Sequence, residues 1–165
     1  MRERSRKVLA IPDDRQKVLR DARQALELKG NVSHGGELFR QHCAACHRLR
    51  NEGIQLGPDL GTVADRSAEE LLRAILDPNL AVDVTYVSYL AITTTGREVY
   101  GTIASETANS ISLRLAGGLE ETLLRRDLKE LRSSGLSLMP EGFEKLLSAQ
   151  DLADLIQFVT SPGAN

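Results

Sequence analysis

The chain lacks most of the residues that build cross-links and large aromatic cores. Its 165 residues include two cysteines, no tryptophan and 4% aromatic residues. Both cysteines lie in one short segment, so no thiol is left for a structural disulfide elsewhere or for a four-sulfur zinc site. No stretch approaches the ~18 apolar residues of a membrane span. We therefore expect no membrane-spanning segment.

A strong excess of charge of one sign is also missing. The net charge is −2, so a general affinity for nucleic acid is not indicated. The sequence shows no Ser-His-Asp pattern, no Gly-rich phosphate loop and no second metal-binding cluster. We therefore expect a chain that is not itself an enzyme. Its length suits one ordinary domain, or a small domain with an appendage.

The most informative segment is Cys43-Ala44-Ala45-Cys46-His47. A C-x-x-C-H run predicts the attachment of one covalent c-type heme, whose porphyrin both thiols bond while His47 binds the iron. The alternatives are a thioredoxin-like redox pair and half of a zinc site. A redox pair would follow a strand, whereas residues 36–40 have a helical pattern. Zinc would need a second pair of ligands, and the other histidines are only His34 and His42.

Hydrophobic spacing and capping residues predict four helices. They run from Asp13 or Asp14 to Lys29, from Ser33 into the cysteine motif, from Ser67 to Asp77, and from Ser148 to about residue 160. Between the third and fourth helices the sequence is rich in β-branched residues. It predicts four antiparallel strands at 84–93, 98–104, 110–115 and 119–125, with Gly117-Gly118 as a tight turn.

These elements predict a mainly α fold, α+β overall: a helical heme domain with an inserted antiparallel β module. We divide the chain into an N-terminal helical connector (1–32), a heme domain (33–81 and 133–165) and the β insert (82–132). Every heme-binding motif lies outside the insert. We therefore expect the insert to be a separate module that contributes little to ligation.

Three segments together resemble class I cytochromes c: residues 34–47, Gly57-Pro58-Asp59-Leu60 and Ser137-Leu138-Met139-Pro140. The resemblance covers roughly residues 33–80 and 134–161, and the insert departs from the family's pattern. The whole chain looks more like the heme-binding domains of planctomycete-type multidomain proteins. The resemblance implies that the backbone carbonyl of Pro58 accepts a hydrogen bond from His47 and fixes its ring.

The sixth iron ligand can be argued by elimination. Met1 and Met139 are the only methionines, and Met1 is a start residue, so Met139 is the preferred ligand. His34 and His42 are its rivals. We also include Phe39 among the cofactor-binding residues. Together with Gly36, it should form the contact where the first heme-domain helix crosses the last, against Leu155 and Phe158. The side chains that could reach the heme propionates are Arg48, Arg66, Tyr86, Tyr89 and Arg97.

The expected function is one-electron transfer with His/Met ligation. The alternatives are a heme-based gas or redox sensor with a labile Met139, and a peroxidase-like enzyme with an open iron position. Such heme attachment normally takes place outside the cytoplasm, yet residues 1–12 do not continue into a signal-peptide core. Either an export signal has been removed, or the chain is one domain of a larger exported or periplasmic redox protein. We expect the second, because the N-terminal stretch resembles a helical connector. The chain's partner would be a redox protein or a fused dehydrogenase domain, and a homodimer is possible.

Overall fold

The computed structural model describes residues 13–162, which form four α-helices and one antiparallel sheet of five strands. The predictions made for residues 1–12, including the start of the connector, lie outside this range. The helices are α1 (Asp13–Ala22), α2 (Val32–His42), α3 (Ala68–Leu76) and α4 (Ala149–Thr160). The strands are β1 (Val87–Thr93), β2 (Glu98–Glu106), β3 (Ser110–Arg114), β4 (Glu120–Leu124) and β5 (Leu128–Ser137). Among residues 13–162, no helix is both long and apolar enough to cross a membrane.

Helices α3 and α4 begin at the serines that their sequences predicted. The Ser67 side chain accepts from a backbone N–H of the first turn of α3, and Ser148 and Asp151 form a reciprocal capping box on α4. The first helix is shorter than predicted, because α1 ends at Ala22 and a 3₁₀ turn follows over Arg23–Glu27. This tighter turn contains Ala25, which is almost completely buried in the helical core.

Helices α2 and α4 cross at two glycines. A Cβ added at Gly35 would lie 2.0 Å from the Asp154 carbonyl oxygen, whereas one at Gly36 would lie 3.1 Å from the Phe158 ring. Phe39 fills the space beside them, with its ring 5.6 Å from that of Phe158. The sequence predicted a contact through Gly36 and Phe39. Gly35 is the tighter point, since only a residue without a side chain permits the two backbones to approach this closely.

The expectations of a mainly α fold and of four strands are wrong. The four helices hold 42 residues and the five strands 36, so the described chain is mixed α/β. The strand order is β4-β3-β2-β1-β5, with every neighbouring pair antiparallel. The strand that was missed, β5, lies at an edge of the sheet and is largely exposed. Exposure on both faces removes the apolar alternation by which strands are identified.

The helices and the sheet have separate apolar cores. Two observations describe how the sheet joins the helical part. Val87 at the start of β1 pairs with Ser137 at the end of β5, so the chain enters and leaves the sheet at one place. At the turn between β3 and β4, a Cβ added at Gly118 would lie 2.6 Å from Ile54, in the loop that follows the cysteine motif.

Candidate cofactor site

Five of the six predicted site residues, Pro58 among them, line one cavity of about 570 Å³. Cys43, Cys46 and His47 line it from the end of α2, and Met139 lines it from the loop after β5. The volume lies within the roughly 300–1,000 Å³ of small-molecule sites. Apolar side chains of α3 and α4 make up much of the remaining wall. Residues far apart in the chain therefore converge on one apolar chamber.

The cysteine motif continues α2 as a hydrogen-bonded turn. The backbone N–H of Cys43 donates to the Phe39 carbonyl at 2.8 Å, and the N–H groups of Cys46 and His47 donate to the Cys43 carbonyl at 3.0 and 2.8 Å. Because the chain coils through all five motif residues, both thiols and the imidazole line the same cavity. The short spacing of the motif is thus sufficient to place three groups together.

Both thiols are held in the protonated form. Burial, with Cys46 as a smaller cause, raises the pKa of the Cys43 thiol to about 12, and burial also raises the pKa of Cys46. Reactive redox cysteines have lowered pKa values and often lie at helix N-termini. Cys43 instead caps the C-terminus of α2. The environment is therefore the opposite of the one that a thioredoxin-like pair requires.

His47 is fixed as a neutral imidazole. Its Nδ1 lies 2.9 Å from the carbonyl oxygen of Pro58, and since a carbonyl only accepts, Nδ1 carries the proton. Burial lowers the pKa of His47, and the hydrogen bond to Pro58 opposes this only in part. The lone pair of Nε2 is then available to a metal. A Cβ added at Gly57 would lie 2.7 Å from the ring, so this glycine makes room for the imidazole.

Met139 lies in a loop that is hydrogen-bonded to the sheet and to the end of α3. Its backbone N–H donates to Ser137 Oγ at 3.1 Å, and the Ser137 N–H donates to Asn79 Oδ1 at 2.9 Å. The Asn79 amide also donates to Glu141 at 2.6 Å. The thioether is thus presented by a short segment anchored on both sides.

The two rival histidines occupy different places. His42 lines the cavity, so it remains a possible ligand by position. His34 does not line it: its Nδ1 lies 2.7 Å from Asp154 on the neighbouring α4. His34, Asp151 and Asp154 are close enough together to hold a metal ion. However, the Asp154 carboxylate also accepts from the Asn31 N–H, and Asp151 caps α4, so these groups already have structural partners.

Phe39, which we included among the cofactor-binding residues, does not lie at the cavity. It is completely buried against Phe158 and is not among the residues that line the cavity. On α2 it faces the crossing with α4, so its position agrees with a packing role.

The five candidates for contact with the heme propionates differ in whether they reach the cavity. The three arginines are bound to carboxylates or to a backbone carbonyl, and only Tyr86 of the five lines the cavity.

The inserted sheet forms part of the cavity wall, which the sequence did not predict. Val82 and Tyr86 line the cavity just before β1, and Thr102 lines it from within β2. Thr102 is only 3% exposed. In β2, buried and exposed residues alternate until Gly101 and Thr102, which are buried consecutively. The sequence marks this place only by a polar residue within the strand.

Sequence reasoning also missed Asp77, the residue that ends α3. It is 4% exposed and lines the cavity, and its Oδ2 has no hydrogen-bond partner among residues 13–162. Burial raises the pKa of this carboxyl, and the negative charge of Glu141 raises it further. The nearby positive charges of Arg15 and Arg73 oppose the shift without overcoming it.

Comparison with known proteins agrees with the geometry over the first part of the site. A model of the family described as Cytochrome c matches residues 32–106, which is 75 of the 165 residues. The match includes the cysteine motif and Pro58 and ends before Met139. No curated protein matches the chain significantly. The family match supports a c-type cytochrome domain in this chain, with heme as its cofactor and electron transfer as its general activity.

Proposed function

We propose that this chain binds one heme c covalently, with His47 and Met139 as axial ligands, and that it transfers single electrons. The observation that carries the proposal is the convergence of Cys43, Cys46, His47 and Met139 on one cavity of about 570 Å³. A neutral imidazole, two thiols and a thioether are the donor set that a covalent His/Met heme requires.

The residues around the motif fit a porphyrin. The two protonated thiols lie one helical turn apart, and His47 is oriented by Pro58 as metal-binding histidines are by their outer partners. Gly57 leaves the imidazole its space. Apolar side chains from α3 and α4 give a porphyrin an apolar surface to pack against.

Heme c supplies a one-electron couple between ferric and ferrous iron, and His/Met ligation raises its potential relative to other axial pairs. The chain's own contribution is to hold both ligands still. His47 is held by the Pro58 carbonyl, and the Met139 loop by Ser137 and Asn79. With both axial positions filled, the chain serves as a carrier and not as an enzyme that binds a substrate at iron.

The wider setting follows from the cofactor. Attachment of heme c outside the cytoplasm supports an exported or periplasmic location, as part of a larger redox protein of the planctomycete-type multidomain class. The electron partner would be a redox protein or a fused dehydrogenase domain. Division into a connector (1–32), a heme domain and an insert (82–132), and assembly into a homodimer, are parts of the same proposal.

A heme-based sensor is the second candidate, and one observation favours it. Strand β5 ends at Ser137, two residues before Met139, so a shift of the sheet would pass directly to the ligand loop. In a sensor, a small gas would displace the Met139 thioether. A carrier should not bind carbon monoxide readily, whereas a sensor with a labile ligand should bind it.

Covalent attachment is tested by production with a periplasmic heme-attachment system. The red colour should survive denaturing electrophoresis and acid-acetone extraction, because thioether bonds resist both. The variants Cys43→Ala and Cys46→Ala should each keep one thioether at most, and the double variant none. Heme that is extracted from the unmodified chain would refute the c-type assignment.

Ligation by Met139 is tested by absorption spectroscopy of the ferric protein. The weak sulfur-to-iron charge-transfer band near the red end should be present and should vanish in Met139→Ala. That variant should also have a lower reduction potential and bind carbon monoxide. His34→Gln is the matched control, since His34 lies outside the cavity. If the unmodified protein lacks the band, Met139 is not the ligand and His42 becomes the better candidate.

A further inference from the structure

The cavity has few groups suited to the two carboxylates that heme carries. Four acidic side chains line it: Asp65, Glu70, Asp77 and Asp83. Arg73 is the one arginine or lysine in the lining of the described chain, and its Nε donates to Glu70 at 2.8 Å. A carboxylate that enters this chamber therefore finds acceptors and a cation that is already paired. It needs hydrogen-bond donors from elsewhere.

The inserted sheet carries two uncommitted donors at the cavity. The Thr102 hydroxyl makes no side-chain hydrogen bond to residues 13–162, although the residue is 3% exposed. Its Oγ1 is open to the cavity, so a bound group could reach it. The Tyr86 hydroxyl, just before β1, likewise has no partner in the described part of the chain. Ser137 Oγ, also in the lining but outside residues 82–132, accepts from the Met139 N–H, and this bond leaves its own O–H free to donate.

On the basis of the function proposed above, we propose that the inserted sheet supplies the hydrogen-bond donors for the heme carboxylates, through Tyr86 and Thr102. Both are neutral, so they satisfy a carboxylate without cancelling its charge. Arg48, Arg66 and Arg97 do not line the cavity, and each guanidinium already donates to a carboxylate or a backbone carbonyl. The insert is then a part of the cofactor site, in contrast to the separable module that the sequence predicted.

The assignment has an electrostatic consequence at the iron. A hydroxyl that donates to a carboxylate draws negative charge away from the metal. Removing the donor leaves that charge concentrated and stabilises ferric over ferrous iron. At an applied potential equal to the unmodified protein's midpoint, we expect the ferrous-to-ferric ratio to fall roughly threefold for the double variant.

The test uses the full chain with heme attached. The variants are Tyr86→Phe, Thr102→Val and their double, and the control is Tyr100→Phe, an exposed hydroxyl on β2, the strand that carries Thr102. Resonance Raman spectroscopy records the carboxylate bending bands of the heme, and spectroelectrochemistry records the ferrous-to-ferric ratio. We expect the bands and the ratio to shift in the variants and to stay in place in the control.

Thr102→Ser guards against a simple folding defect, because it keeps the hydroxyl and should restore the unmodified spectrum. An unchanged bending band and ratio in the double variant, with His/Met ligation intact, would overturn the inference while the proposed function stands. A Thr102→Ser variant that folds normally but does not restore the bending bands would also count against the inference. If no heme is attached to the unmodified chain, the proposed function fails first, and this inference fails with it.

Discussion

Replacement of Asn79 by alanine should loosen the loop that carries Met139. The Asn79 side chain holds the loop on both sides of the methionine: it accepts from the Ser137 N–H at 2.9 Å and donates to Glu141 at 2.6 Å. Asn79 itself does not line the cavity. The substitution therefore removes the support of the ligand without changing the chamber.

The size of the effect follows from the two bonds. The bond to the Ser137 N–H is neutral and contributes about 0.5–1.5 kcal/mol. The bond to Glu141 has a charged acceptor, but that side chain is 39% exposed, so solvent screening reduces it to about the same size. The two together give about 1–3 kcal/mol. A value near 1.4 kcal/mol corresponds to a tenfold shift toward the open loop.

The assay is a titration of the ferric protein with imidazole, which competes with Met139 for iron and abolishes the sulfur-to-iron band. We expect Asn79→Ala to bind imidazole about tenfold more tightly, since less free energy is needed to open the loop. Asn109→Ala, at an exposed turn between β2 and β3, is the matched control and should bind as the unmodified protein does. An affinity of Asn79→Ala within twofold of the unmodified protein would refute the reasoning.

Two further predictions test the helical part. Gly35→Ala should lower the free energy of unfolding by about 1–3 kcal/mol or more, because its Cβ would lie 2.0 Å from the Asp154 carbonyl. Gly36→Ala meets only the Phe158 ring at 3.1 Å and should cost less in the same denaturant titration; equal losses would contradict the packing. The hydrogen bond to Asp154 raises the pKa of His34 above 6.5, so this pair stabilises the fold below that pH and the contribution is lost as the pH rises through the higher folded value. Stability should therefore decline just above pH 6.5, and His34→Gln should lose that decline; a variant with the same pH profile would disprove the pairing.

The features that sequence predicted well depend on neighbours along the chain. The cysteine motif spans five residues, so one helical turn brings Cys43 and His47 to the same cavity wherever the rest of the chain lies. The starts of α3 and α4 depend on Ser67 and Ser148, whose side chains bond within their own first turn. Met139 was named as a candidate because the chain offers so few methionines; it lines the cavity, and its ligation stays a prediction.

The features that were missed depend on contacts between distant segments. Strand β5 is stabilised by its pairing with β1 while its own faces are largely exposed, so its residues carry little strand signal. Thr102 and Asp77 are polar side chains that only the assembled fold buries at the cavity. The packing of Phe39 at the crossing of α2 with α4 was predicted, but only the assembled fold shows that Phe39 does not also line the cavity.

The pairing of Val87 with Ser137 lowers the loop-closure entropy that the insert would otherwise impose on the fold. As an open loop, the 57 residues from 80 to 136 would carry a length-dependent closure cost of roughly 3–4 kcal/mol. The sheet offsets this cost with its own ladder and its own apolar core. Only the short segments before Val87 and from Ser137 to Met139 remain to be ordered. The effective loop that joins Asn79 to Met139 is therefore short. An insert that returns through paired strands can become longer without raising the entropic cost of positioning Met139.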